Sequence, residues 1–140
     1  MYNVKIFPFD KSRHSHDLST AMKYRRMESP ADKISALPEL GLVAYWDGEF
    51  TAAGFIRKVE GGYGMIDSYV TDPRIKDVVR NDVLNALTIQ LLDLARANGI
   101  TNLIMFSVDE KTIIRSYRHG FKKRPDTVAT IVLEPKKLSE

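Results

Sequence analysis

The stretch from Met65 to Phe121 (MIDSYVTDPRIKDVVRNDVLNALTIQLLDLARANGITNLIMFSVDEKTIIRSYRHGF) reads as strand, long helix, strand and short helix, closing on Gly120-Phe121. The opening strand, Tyr63 to Val70, is apolar and β-branched and breaks at Asp72-Pro73, because the residue before a proline is restricted. Val83, Leu84, Leu87, Leu91, Leu94 and Ala95 then recur at three- and four-residue spacing, so one face of a helix is apolar, and Asn98-Gly99 supplies its left-handed stop. Thr101 to Val108 (TNLIMFSV) is short and apolar enough for a buried strand. Asp109 is placed to cap a last helix, Glu110 to Arg118, with Gly120 as its C-terminal glycine.

A strand, helix and strand in this order predict a right-handed crossover between parallel strands. Ligands of such sheets bind beyond the strand C-termini, beside the following helix N-terminus, which directs attention to Val70 through Asp82. In order and punctuation the region resembles the GNAT superfamily of acyl-CoA-dependent N-acetyltransferases, over roughly half to two-thirds of the chain when the upstream hairpin is counted. Val70-Thr71-Asp72-Pro73 stands where the family has Val-x-Pro, with one residue more before the proline. Counted from Pro73, Lys76-Asp77-Val78-Val79-Arg80-Asn81 stands at the family's pyrophosphate loop, Arg/Gln-x-x-Gly-x-Gly/Ala, and a Tyr-bearing helix again ends in Gly-Phe.

The resemblance implies a GNAT-like α/β (α+β) fold: a mixed, mostly antiparallel central sheet with helices on both faces, splayed at the crossover. It implies N-acetyl transfer from acetyl-CoA to an amine of a small molecule or protein. It assigns the cofactor to Ser68, Tyr69 and Val70 on the strand, and to Lys76, Val78, Val79, Arg80, Asn81 and Asp82 at the helix entry. In the family, glycines let the backbone approach the pyrophosphate at a helix N-terminus. Here Val79 and Asn81 occupy both glycine positions, and Asp77 and Asp82 add negative charge. Two like charges about 5 Å apart repel by about 0.8 kcal/mol in bulk water, and by several-fold more in a poorly screened cleft. Arg74, Lys76 and Arg80 oppose that repulsion. An eroded loop of this kind defines a second class, a catalytically inactive GNAT-fold binding protein acting through protein–protein contacts. Compact GNAT-like proteins with eroded loops are found among tailed-bacteriophage proteins, where the partner would be a host protein or the virion.

The same resemblance names two candidate catalytic residues. Asp67 interrupts an apolar strand three residues before Val70, where some family members carry an acidic residue, and is the expected base or ammonium holder. Its other reading is a strand carboxylate paired with a neighbouring arginine. Tyr117 is the expected acid for the departing thiolate, but it precedes Gly120 by three residues where the family's tyrosine precedes by four. One residue turns a helical side chain by about 100°. Ser116 holds the family position. Tyr117 is equally readable as a packing residue with its hydroxyl at the surface.

The rest of the chain reads as one domain spanning residues 1–140. Tyr2 to Phe9 alternates as a first strand, Asp17 is a plausible N-cap for a helix from Leu18 to Met27, and Ser29-Pro30 opens a second short helix through Ala36. Leu42 to Trp46 and Phe50 to Val59 flank Asp47-Gly48, a strong hairpin signal, and Thr127 to Leu133 reads as a final strand. The net charge of +3, with both signs interspersed, is not that of a dedicated nucleic-acid binder. Absence of cysteine excludes a disulfide scaffold, a thiolate metal site and a cysteine nucleophile. His14 and His16 lack an apparent third ligand, so no metal is expected. The basic run around His119 reads as a solvated surface, and Tyr45, Trp46 and Phe50 as cross-strand packing. No stretch is long and apolar enough to cross a membrane, and a soluble cytoplasmic protein is the expectation.

Overall fold

The computed structural model describes residues 3–107 and 110–123. Its elements are β1 (Val4–Pro8), α1 (Lys11–Tyr24), α2 (Pro30–Ser35), β2 (Gly41–Trp46), β3 (Glu49–Val59), β4 (Tyr63–Thr71), α3 (Asp77–Ala97), β5 (Asn102–Met105) and α4 (Glu110–Arg118). Among the described residues the strands form a five-stranded sheet in the order β1-β2-β3-β4-β5. The first three pairings are antiparallel and β4 pairs parallel with β5, so the sheet is mixed and mostly antiparallel, as expected. The expected strand at Thr127–Leu133 and the expected cap Asp109 lie outside the described residues.

Side-chain alternation along the strands builds a core on each face. Leu42, Ala44, Ala52, Ile56 and Ile66 pack with Val79, Val83, Leu84, Leu87, Leu91 and Ala95 of α3. Val43, Ala53, Phe55 and Val70 point the other way and pack with Leu18, Ala21 and Met22 of α1 and Ile34 of α2. Each fully buried aliphatic side chain contributes about 1.5–3 kcal/mol of transfer free energy. Gly54 lets α3 lie close to the sheet, since a Cβ there would stand 2.6 Å from Leu91 Cδ1. The hairpin at Asp47-Gly48 takes positive φ at both residues, 46° and 81°, as its two-residue turn requires.

One helix starts earlier than its sequence suggests. α1 is capped by Asp10 rather than Asp17, and begins at Lys11 rather than Leu18. The Asp10 carboxylate accepts from the Ser12 backbone N–H at 2.9 Å and the Ser12 hydroxyl at 2.6 Å, and the Asp10 N–H donates to His14 Nδ1 at 2.9 Å. Asp17 is thereby internal to α1 and accepts from the Tyr45 hydroxyl at 2.7 Å. Burial first, and then that bond and the Asp17 charge, raise the Tyr45 pKa.

Two features of β4 shape the site. Phe55 pairs with Ser68 and Ile56 with Ile66, so Asp67 is the extra residue of a β-bulge. Pairing with β5 ends at Ile66, whereas pairing with β3 continues to Thr71. From Asp67 to Thr71 one edge of β4 therefore has no strand beside it among the described residues, and the sheet opens as a wedge.

Candidate functional site

The wedge holds a cleft of about 420 Å³. Its floor is the end of β4, through Tyr69, Val70 and Thr71; one wall is the first two turns of α3, through Asp77, Arg80, Asn81 and Leu84. α4 adds Lys111, Thr112 and Arg115, and the α1–α2 connection adds Arg25 and Met27. Four cations thus face one carboxylate. That carboxylate, Asp77, is ion-paired with Arg80.

Arg25, Arg80 and Arg115 are held by identifiable contacts. Arg25 Nε donates to the Thr71 carbonyl oxygen at 3.0 Å, and its Nη2 to the Thr71 hydroxyl. Partial loss of solvent, and then the charge of Arg80, lower the Arg25 pKa, with Asp72 opposing. Arg115 donates to Asn81 Oδ1 at 2.7 Å, joining α4 to the first turns of α3. Arg80 Nε is buried with no hydrogen-bond partner among the described residues. Such a donor is costly to leave unpaired.

Tyr69 is the phenol of the cleft. Its hydroxyl lies 2.9 Å from the Thr88 hydroxyl, which itself donates to the Leu84 carbonyl at 2.8 Å. Burial raises the Tyr69 pKa, while the Thr88 hydrogen bond and the Arg115 charge act to lower it. A narrow recess lined by Tyr69, Thr88, Ser116, His119 and Phe121 adjoins the cleft between α3 and α4.

Of the residues expected at a cofactor site, Tyr69, Val70, Arg80 and Asn81 line the cleft. Ser68 belongs to the β4 edge beside it. Lys76 is the N-cap residue of α3, with no side-chain capping bond, so the stretch expected as a loop is a helix entry. Val79 is buried in the core against the sheet, Val78 is exposed, and Asp82 is exposed on α3. None of these four lines the cleft.

Neither expected catalytic residue lines this cleft. Asp67 Oδ1 is 3.2 Å from Arg57 Nε, and Arg57 donates through Nη2 to the Ala36 carbonyl beside α2. This is the alternative read from sequence, a strand carboxylate paired with an arginine. Tyr117 is 47% exposed and lines a separate groove with Leu103, Ile104, Phe106 and Phe121. Ser116 is buried in its stead, its hydroxyl donating to the Ile113 carbonyl at 2.6 Å. The one-residue offset before Gly120 had signalled this rotation. Sequence reasoning missed Arg25 and Arg115, whose meeting with α3 depends on tertiary placement, and nothing in their local spacing announces it. No group of three or more His, Asp or Glu side chains suited to a metal occurs among the described residues. Nor is any helix among them long and apolar enough to cross a membrane.

Comparison with solved structures gives this architecture its class. The fold is that of the GNAT N-acetyltransferases. The ribosomal-protein-S18-alanine N-acetyltransferase of Escherichia coli superposes with a TM-score of 0.68 at 17% identity, over 87% of this chain and 79% of that one. Glucosamine-6-phosphate N-acetyltransferase of Arabidopsis thaliana gives 0.65 at 12% identity, over 92% and 98%. An aminoglycoside N-acetyltransferase in complex with CoA gives 0.67 at 14% identity, over 94% and 96%. No protein-family model and no curated protein matches the sequence.

Proposed function

We propose that the protein is an N-acetyltransferase that takes its acetyl group from acetyl-CoA and passes it to an amine of a small molecule or protein. The observation that carries this reading is the cationic cleft at the place where β4 parts from β5. The unpaired edge of Ser68, Tyr69 and Val70 offers backbone N–H and C=O groups to the amide-rich arm of the cofactor. Arg80, Arg115 and Lys111 offer charge to its pyrophosphate, so guanidinium groups do the work that glycine-exposed backbone does in the family pattern. Arginine suits that role, since its planar fork pairs with phosphate oxygens in bidentate fashion.

In the transfer, the neutral amine attacks the thioester carbonyl, the new C–N bond forms and the C–S bond breaks. The amine nitrogen gives up a proton and the departing thiolate gains one. Tyr69 is the phenol that lines the cleft and donates that proton, to be reprotonated from cleft water, and Tyr117 stands away from the cleft. Cations around the cleft favour the neutral form of a bound amine, because like charge lowers an ammonium pKa. Proton loss to cleft water then suffices, with Asp67 kept in its pair with Arg57.

The competing reading, a GNAT-fold binding protein without catalysis, draws on Val79 in the core and Tyr117 at the surface. Calorimetric titration with acetyl-CoA, followed by thiol release in the presence of an amine pool, separates the two. Saturable binding with amine-dependent thiol release supports the enzyme. A folded protein that takes up no acetyl-CoA at millimolar concentration refutes it.

A further inference from the structure

We propose that the acceptor is an anionic amine, a compound carrying a carboxylate or phosphate near its amino group, and that Arg25 holds that anion. This rests on the N-acetyltransferase reading above. The cations of the cleft divide between two walls. Arg80, Lys111 and Arg115 stand on α3 and α4, beside the proposed pyrophosphate position, whereas Arg25 stands at the C-cap of α1 on the α1–α2 side.

Arg25 is fixed in place. Its two bonds to Thr71 anchor the guanidinium to the last residue of β4, where the unpaired edge ends. They use two of the five N–H donors of the group, and the planar fork suits a carboxylate or phosphate. Its environment also calls for negative charge. Partial burial first, and then the Arg80 charge, disfavour the charged form of Arg25, with Asp72 opposing, and an anion on the free donors of Arg25 offsets both.

The carboxylates nearest the cleft, which a cationic acceptor would need, are committed elsewhere. Asp77 pairs with Arg80, Asp72 with Arg74 and Asp67 with Arg57. A polyamine entering the cleft meets four cations and one already paired carboxylate, and like charges in a poorly screened space repel. An amine with its own anion brings compensation. Its ammonium, facing the remaining cations, loses a proton more readily and becomes the nucleophile without a protein carboxylate as base.

The test offers the whole chain, with labelled acetyl-CoA, an equimolar pool of amino acids, glucosamine, glucosamine 6-phosphate, spermidine and an aminoglycoside. Calorimetry with acetyl-CoA alone is run first. Labelled products confined mainly to amino acids or glucosamine 6-phosphate support the proposal, as does Arg25→Ala raising the acceptor KM at least tenfold with the acetyl-CoA Kd within twofold. Arg25→Lys should recover part of that loss and checks that the alanine variant has not simply misfolded. Predominant labelling of spermidine or the aminoglycoside overturns it, and so does acetyl-CoA binding with no anionic amine labelled. An Arg25→Ala effect on acetyl-CoA Kd as large as that on acceptor KM also overturns it, by placing Arg25 on the cofactor. Absence of acetyl-CoA binding in calorimetry is a different failure, since it removes the underlying enzyme reading.

Discussion

Arg115 donates a 2.7 Å hydrogen bond to the Asn81 side-chain oxygen, so α4 is tied to α3 at the position where the GNAT pattern has its second glycine. One turn further along α3, and just past the end of α4, His119 Nε2 lies 2.9 Å from Asn85 Oδ1. Restoring glycine at 81 therefore removes a tie as well as a side chain. Asn81→Gly is expected to weaken acetyl-CoA binding several-fold and to cost about 1 kcal/mol in helix stability. Val79→Gly empties a core position and should cost about 2–4 kcal/mol, the sum of lost burial and glycine flexibility. Urea denaturation and calorimetry check both. Tighter binding in a folded Asn81→Gly variant would show that the backbone, and not Arg115, meets the anion.

Asp77 occupies the Arg80 guanidinium that the proposed pyrophosphate needs. Because Asp77 is largely exposed, the pair itself adds little stability, as surface ion pairs generally do. Asp77→Asn should leave the melting temperature nearly unchanged and tighten acetyl-CoA binding about three- to tenfold, most visibly at low salt, where charge is least screened. Binding that is unaffected by the substitution at any ionic strength would remove Arg80 from the cofactor site.

The fold was more legible than the site, and the reason is physical. The apolar run Leu42–Trp46, the Asp47-Gly48 turn and the 3.6-residue stripe of α3 are local signals, and each was realised where it was read. The cap of α1 was misplaced because Asp17 directly precedes the apolar Leu18, whereas Asp10 precedes the polar stretch Lys11 to His16, and only the contacts made by Ser12 and Tyr45 distinguish them. The cleft joins Arg25, Arg80 and Arg115 from three separate helical regions. No short window of sequence records that meeting. The bulge at Asp67 was likewise hidden, since a bulge belongs to the pairing with Phe55 and Ile56 rather than to the strand alone.

Tyr69 and Tyr117 are separated by one comparison. Tyr69→Phe removes the hydroxyl beside Thr88 and should lower kcat about tenfold or more while leaving the acetyl-CoA Kd within twofold, as loss of a positioned acid does. Tyr117→Phe should be nearly silent, given its exposure and its separate groove. Steady-state kinetics decide, and a reversed order of effects would return the acid role to α4.

Asp67 is paired with Arg57, which also donates to the Ala36 carbonyl, and it does not line the cleft. Asp67→Asn is expected to change kcat less than threefold between pH 6 and 9 and to lower stability slightly. A general base would cost about 10²- to 10⁴-fold and would impose its own limb on the pH–rate profile. Such a limb, lost in the variant, would restore Asp67 to the mechanism.

Asp72 sets the turn that carries β4 into α3, and its charge makes the fold sensitive to acid. It is 3% exposed; its Oδ1 accepts from the Arg74 backbone N–H at 2.9 Å, and Arg74 Nη2 reaches Oδ2 at 2.7 Å. The Arg74 guanidinium also lies 4.1 Å over the Tyr24 ring. Burial alone would raise the Asp72 pKa, but the Arg74 hydrogen bonds and the charges of Arg74 and Arg25 bring it below its ordinary value. A carboxyl depressed in the folded state binds fewer protons there than in the unfolded chain, so it stabilises fully above the unfolded value of about 3.9. That contribution is lost as pH falls through the folded pKa. Arg74→Ala leaves burial unopposed by its strongest partner, which penalises the charged form at neutral pH and relents once Asp72 is protonated. The melting temperature of Arg74→Ala should therefore fall below that of the parent by several degrees at pH 7, and the gap should narrow toward pH 3. Thermal denaturation followed by circular dichroism across that range measures it, and a gap independent of pH would show that Arg74 acts through its contact with Tyr24 instead of through Asp72.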